Sequence, residues 1–312
     1  MRRIGERLAQ AVVTIFSALT VVFLVLRLTP GDPVQIILGD YATPELTAIL
    51  RAQYGLDQPI PVQYAVFLKN TLTGNFGISL SQKTSVVSVI GSALPYTVAL
   101  AFAAMLVTCL IGIPLGVVAA LKRNTFADFA SMMIALLGIA TPGFLFALLL
   151  IYVLSYLLGI FPVQGAGEGE GLGSGFHHLV LPAVALGFQS AALVARTTRS
   201  ALLAVLKEDY VRTAHAKGLP GRTVLWSHTL RSALVPIIAV LGLYFGQLLG
   251  GAGVVEIVFS RPGLGKLLVG AILARDYPLS QALIAVFLVA VIAVNFITDT
   301  LYGFADPRLR EK

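Results

Sequence analysis

The sequence predicts an all-α, polytopic membrane protein with six transmembrane helices. Three observations carry that reading. Of the 312 residues, 57% are hydrophobic and only 12% are charged, too few charges to cover a soluble domain of this size. Mean hydropathy is +0.88. Six stretches, each longer than about 18 residues, contain no Asp, Glu, Lys or Arg, and roughly 20 apolar residues in a helix cross a bilayer core.

The charge-free stretches are Leu8–Leu26, Thr84–Leu121, Phe129–Gly167, Gly171–Ala195, Ser232–Val255 and Tyr277–Thr298. The second and third are long enough for two short helices. Pro95 stands near the start of the second, and the third becomes glycine-rich after Phe161-Pro162, so one crossing in each is the simpler reading. The spans are placed at 8–28, 95–121, 129–157, 177–203, 232–255 and 279–302 of a single transmembrane domain. The first is not read as a cleaved signal peptide, because its apolar run is too long and it ends in LRLTPGDP with no small-x-small site.

Six crossings place both termini on one side. Of 22 Lys+Arg, 15 fall on that side, including seven between spans four and five. Positive charge collects on the cytoplasmic face, so both termini and the 204–231 loop are expected there. The same distribution assigns the +7 net charge to membrane orientation and lipid headgroups, with no call for nucleic acid.

The segment 30–93 is then extracytoplasmic. Thr43-Pro44-Glu45 is a helix start, with Thr as N-cap, Pro at N1 and an acid in the first turn, and Gly55 suits the C-cap. A second helix is expected from Pro61 to Leu72, ended by Gly74. These helices serve either as a packing cap or as a docking surface. GAGEGEGLGSG at 165–175 is a flexible loop whose charges are Glu168 and Glu170. His177 and His178 follow it, but adjacent histidines diverge on a helix, so no metal site is expected. The lone Cys109 excludes an internal disulfide and reads as a small buried hydrophobe.

No catalytic constellation emerges. GLGK at 263–266 fails the phosphate-loop pattern, since Ser260 stands where the first glycine belongs and Leu267 where Ser or Thr belongs. The spans lack the carboxylates of an ion relay, so if the chain moves a solute the energy is expected from elsewhere. Gly242, Gly246, Gly250 and Gly251 permit close helix approach on the fifth span. Gln189 and Gln247 either face a water-filled path or bond across helices. With Tyr244 and Gly250, they are the candidate pathway-lining residues.

KEDYVRTAHAKGLPGR, residues 207–222, interrupts this apolar chain. Glu208 to Lys217 reads as a short helix with Glu208 and Arg212 paired at i,i+4, Gly218 as C-cap and Pro220 enforcing the stop. Tyr210, Val211 and Ala214 gather on one side. So short a helix is unstable alone in water and needs a surface, which is either lipid headgroups or a partner that the small alanines let approach.

YVRTAHAKGL followed by HTLRSALVP resembles the cytoplasmic coupling motif of ABC importer permeases, specifically the dipeptide/oligopeptide/nickel family. The family pattern is Glu-Ala-Ala, three residues, Gly, nine residues, then Ile-x-Leu-Pro. Gly218, Ala214 and Leu230 match it. Arg212 and Thr213 replace the Glu-Ala, while His228 and Arg231 replace the Ile and Pro, as in the first of the two permeases of peptide-type systems. RLTPGDP, YGLDQPIPVQYAVFL, GNFGISL, LPYTVALA, TPGF, LPAVALG, FSRPGLGKLLVGAILARDYP and DPRLR also resemble family signatures, in family order along the whole chain.

The resemblance implies a type I ABC importer permease fold in a bacterial or archaeal inner membrane. Glu208, Asp209, Tyr210, Arg212, Thr213, Ala214, Lys217, Gly218 and Leu219 would form the helix that engages an ATPase. The implied partners are a second permease, two ATPases that use ATP and Mg, and an extracytoplasmic solute-binding protein. The chain itself would bind no cofactor and do no chemistry. Di- or oligopeptides are the expected solutes. The competing readings are a stand-alone secondary transporter or channel and an intramembrane enzyme.

Overall fold

The computed structural model describes residues 2–28, 33–167 and 172–305. Thr29–Asp32 of RLTPGDP, Glu168 and Glu170 of the glycine-rich loop and the terminal DPRLR lie outside them. Among the described residues the regular structure is helical, apart from one isolated antiparallel bridge between Ile78 and Ser85. The helices are α1 (Arg2–Leu28), α2 (Pro33–Leu38), α3 (Pro44–Gln53), α4 (Ile60–Thr73), α5 (Val86–Leu121), α6 (Phe126–Ala140), α7 (Gly143–Leu150), α8 (Leu172–Val205), α9 (Asp209–Ala216), α10 (Gly221–Thr223), α11 (Leu230–Val258), α12 (Leu264–Leu273) and α13 (Tyr277–Ala305). A 3-10 turn covers Gly39–Tyr41, and π turns extend α7 through Ile151–Leu157 and join α10 to α11 through Val224–Thr229.

Four helical stretches among the described residues are long and apolar enough to cross a membrane: Val86–Leu121, Gly173–Val205, Gly221–Val258 and Tyr277–Thr298. A fifth candidate is the pair Phe126–Ala140 and Gly143–Leu157, bent by 107°. The apolar part of α1, Val12–Leu28, is shorter. The bend comes from Pro142, whose ring disfavours helical geometry at the preceding residue, and Thr141 is accordingly extended at φ −86°, ψ 122°. The stretch expected as one crossing at 129–157 is built from two helices with a corner at Thr141-Pro142, where a proline within the span predicts a kink or a helix end.

The chain divides into two compact units. Unit 1 comprises Met1–Pro95 and Gly263–Ile292. Here the local chemistry of the 30–93 segment reads out as expected. The Thr43 hydroxyl accepts the Leu46 N–H at 3.2 Å; Tyr54 is the C-cap of α3, and Gly55, expected there, follows it with φ +63°. α4 ends at Gly74 in the left-handed region. Phe23 of α1 is fully buried against Tyr64 and Phe67 of α4, with ring centroids 5.2 and 5.5 Å away. Ala285 of α13 completes that cluster. A second cluster joins Val86, Val89, Ile90 and Ala93 of α5 to Leu264 of α12 and Leu279 and Leu283 of α13.

One buried carboxylate ties unit 1 together. Asp276, at the N-cap of α13, accepts the Leu279 N–H through Oδ1 at 3.1 Å. Its Oδ2 accepts the Ser79 hydroxyl at 2.5 Å, the Ser81 N–H at 2.9 Å and the Ser81 hydroxyl at 2.8 Å. Four donors meet this fully buried side chain, which is how so polar a group is held away from solvent.

Unit 2 comprises Tyr96–Pro262 and Ala293–Lys312. α8 is its centre and packs against α6, α7 and α11. Small buried residues line α8, among them Ala185, Ala191, Ala192 and Ala195. α5 approaches it so closely that a Cβ on Gly116 would stand 2.5 Å from the Ala195 carbonyl oxygen, and one on Gly112 2.6 Å from that of Ala191. Glycines four apart on one helix face, set against alanines, let two backbones touch. The sequence reading placed such an approach on α11. There Gly242 does meet Thr298 tightly, but Gly250 has nothing within 4 Å and needs no glycine for packing.

Candidate functional site

α9 forms as the sequence predicts, over eight residues from Asp209 to Ala216. The Val211 and Arg212 N–H groups both bond the Glu208 carbonyl, which opens the helix. Gly218 closes it with φ +76°, so the Leu219 N–H turns back to the Ala214 carbonyl at 3.3 Å. A side chain at Gly218 would meet no other atom, so its requirement is conformational alone.

The helix sits on its own chain. Val211 and Ala214, three residues apart, bury against Val224, with Val205 and Leu206 beside them. The Tyr210 hydroxyl bonds the Ser232 hydroxyl at 2.9 Å, fastening α9 to the start of α11. Two expectations change here. Arg212 pairs with Asp209 at 3.6 Å, so its ion pair is i,i+3 and not the i,i+4 pair with Glu208. Ala214 is only 7% exposed, so its small size serves the internal contact and not the approach of a partner. Tyr210 is half exposed and does not share that buried face. The outward surface is made by Glu208, Asp209, Arg212, Thr213, Ala216, Lys217 and Leu219.

The π turn below α9 presents Trp226, the only tryptophan of the chain, with 60% of its surface exposed. π turns in helices frequently accompany functional positions.

The four candidate pathway residues fall on two helices. Tyr244, Gln247 and Gly250 succeed one another at i,i+3 along α11, and Gln189 lies on α8. Gln189, Gln247 and Gly250 are exposed and Tyr244 is half-buried. Among the described residues neither glutamine side chain bonds across helices. An exposed amide on an apolar span is poorly served by lipid and calls for water or a partner.

Several polar groups escaped sequence reading. Glu256 is buried and accepts the Thr97 hydroxyl at 2.6 Å; it lies one residue past a charge-free window, so a search for charge-free runs discards it. Arg261 is also buried, donates to the His178 carbonyl at 3.3 Å and lies over the Tyr96 ring at 5.9 Å. Burial draws its pKa below the ordinary arginine value, with the Glu256 carboxylate opposing. His177 packs against Phe161 with the rings tilted by 42°, while the His178 Nδ1–H donates to the Ser174 carbonyl, so the two rings serve different contacts. Among the described residues no three His, Cys, Asp or Glu side chains gather into a metal-binding group.

Two family models match. Residues 112–311 match the binding-protein-dependent transport system inner membrane component, and residues 1–101 match the N-terminal part of such membrane components. The glutathione transport system permease protein GsiC of Escherichia coli K12 is 40% identical over 307 residues, covering 98% of each chain. The di/tripeptide transport system permease protein DppB of Pseudomonas aeruginosa is 40% identical over 331 residues, covering 99% of this chain and 98% of that one. Among solved structures, an inward-facing MetNI methionine ABC transporter chain superposes with a TM-score of 0.59 at 16% identity, covering 70% of this chain and 97% of that one. That likeness is one of fold.

Proposed function

The chain belongs to the family of binding-protein-dependent transport system inner membrane components, and from that membership we propose that it forms half of the translocation pathway of an ATP-driven importer for small peptides. Its relatives GsiC and DppB, named for glutathione and for di- and tripeptides, support the peptide-like substrate class. The exposed amides of Gln189 and Gln247 suit a polar path that takes peptide backbones without a dedicated charge.

The observation that carries the mechanism is α9: a short helix stopped at Gly218, fastened to its own chain through Val211, Ala214 and Tyr210, with a polar face left outward. In our reading that face docks into a cytoplasmic ATPase. Because α9 is fastened to the start of α11 by the Tyr210–Ser232 bond, a push on α9 passes into a span that carries three of the pathway residues. ATP and Mg are used by two partner ATPases. Their closure moves α9, and the spans alternate between inward-open and outward-open forms. A second, similar permease completes the path, and an extracytoplasmic binding protein delivers the solute. Both termini and α9 face the cytoplasm of a bacterial or archaeal cell, with the 30–93 segment outside.

The test is purification of the chain from its native membrane in mild detergent, with identification of what accompanies it. The expected result is a similar permease and two ATPases, lost when Thr213 is replaced by Trp on the outward face of α9. A chain that purifies alone would instead favour a passive carrier or pore.

A further inference from the structure

The turn that joins α5 to α6 in unit 2 is pinned and cationic. The Thr125 N–H and hydroxyl both donate to the Lys122 carbonyl, at 3.2 and 2.6 Å. Asn124 takes the left-handed conformation that the reversal needs, with φ +62°. Lys122 and Arg123 stand exposed on this turn. Asp128, the only acid between Lys122 and Pro142, is buried, and its carboxylate is occupied by Arg199 and the Asn124 N–H. The charge left at the surface of the turn is therefore positive.

α6 runs on from this turn with two opposite faces. Asp128, Ser131, Ala135 and Gly138 are buried. Phe126, Phe129, Met133, Leu136 and Leu137 are exposed, Phe126 to 82% and Phe129 to 60%. At 3.6 residues per turn the exposed set occupies about 100° of the helix circumference, opposite the buried set. The stripe from Phe126 to Leu137 is about 17 Å long at 1.5 Å per residue. That is close to half of a bilayer core about 30 Å thick, the depth of one leaflet. Two cations thus stand at one end of an apolar stripe one leaflet long.

We propose that the turn and the stripe bind an anionic phospholipid, with its phosphate on Lys122 and Arg123 and an acyl chain along the exposed face of α6. The cations favour a headgroup with net negative charge over a zwitterionic one. The stripe matches the acyl region in polarity and in length. A second copy of the chain in the same bilayer would bring its own two cations to the same depth, so charge complementarity favours lipid over self-association on this face.

The proposal rests on residence in a bilayer and not on the docking of α9, so its test separates from that of the importer. Phe129→Trp in a Trp226→Phe background places the only tryptophan on the stripe. The full chain, with whatever partners it retains, is reconstituted into phosphatidylcholine bilayers. Dibrominated phosphatidylglycerol or dibrominated phosphatidylcholine is then titrated in, and bromine quenches only a tryptophan that its acyl chain touches. The expected result is a preference for phosphatidylglycerol at this site of about tenfold, since each cation near a headgroup contributes about fivefold. High salt should reduce it. Lys122→Gln combined with Arg123→Gln should bring the two lipids to near equality, while Lys122→Arg keeps the preference. Lys207→Gln, an exposed cation elsewhere in the chain, should leave it unchanged. Equal quenching by both lipids, or a preference that survives the double variant, would overturn the proposal. Absence of quenching by either lipid would overturn it too, because protein would then cover the stripe. Recovery of ATPases with the same preparations reports on the importer reading alone.

Discussion

Arg199 of α8 grips Asp128 of α6 with two parallel hydrogen bonds, Nε to Oδ1 and Nη2 to Oδ2, each 2.8 Å long. The Asn124 N–H adds a third donor to Oδ2 at 3.0 Å. The carboxylate is nearly buried at 8% side-chain exposure and the guanidinium keeps 26%. This fork sets the register between α8 and the helix that leads to the Thr141-Pro142 corner. Removing either partner leaves the other charged and poorly solvated, so Asp128→Ala and Arg199→Ala are each expected to destabilise the chain by about 1–3 kcal/mol. Thermal unfolding in detergent checks this. The double variant should be less destabilised than the sum of the singles, and strict additivity would mean the pair contributes nothing.

The two faces of α9 should respond differently to substitution. Ala214→Trp forces a large ring into the Val211–Val224 contact and should loosen the helix from its own chain. Thr213→Trp and Lys217→Glu alter only the outward face and should leave the fold intact while ATPase recovery falls. Limited proteolysis near residue 217 separates the cases, rising for Ala214→Trp and staying at the wild-type rate for the others.

Gly218 adopts φ +76°, where a Cβ is unfavourable but nothing obstructs it. Gly218→Ala should cost about 1–2 kcal/mol of local stability, and Gly218→Asn less, because Asn tolerates this region. Hydrogen exchange at the Leu219 amide, which bonds the Ala214 carbonyl, would read the fraying directly. Unchanged protection in Gly218→Ala would mean the turn is held by something other than its own backbone.

Gly116→Leu is expected to prevent α5 from seating on α8, since even a Cβ there collides with the Ala195 carbonyl oxygen and with Thr198. The yield of folded protein after membrane extraction is the measure. Gly250→Ala, with open space around it, should express and fold as the parent does.

If the exposed amides of Gln189 and Gln247 line a polar path, cysteines at those positions should react with a charged, membrane-impermeant thiol reagent in the assembled importer. The exposed apolar Phe102, replaced in the same way, should stay unlabelled because lipid or protein covers it. A background lacking the native Cys109 keeps the readout clean. Labelling of Phe102→Cys but not of the two glutamine positions would assign the path to another face.

Local features were legible in the residues themselves. The Thr43 cap, the glycine stops at Gly55, Gly74 and Gly218, and the short polar helix at 209–216 depend on neighbours within one turn, where side-chain chemistry decides backbone conformation. Membrane residence followed from composition, since desolvating so apolar a chain is favourable only in lipid. Which way α9 turns its small face was a different matter. Periodicity puts Val211 and Ala214 on one side but does not say whether that side meets its own chain or another. The Thr141-Pro142 corner lay between the two, because proline predicts a break but not an angle of 107°.

By itself, then, the sequence determined an α-helical membrane chain of ABC permease type, the stops and caps of its short helices, and the place of the polar α9 among apolar spans. Only the tertiary structure decided the polar partnerships. Asp128 and Arg199 are 71 residues apart, and Asp276 and Ser79 are 197 apart. It also decided which glycines are indispensable and that α6 leaves Phe126 and Phe129 exposed. The reason is physical. Caps and turns are satisfied by atoms a few bonds away. A buried charge or a bare helix face is satisfied by whatever the fold brings to it, and no local pattern records that choice.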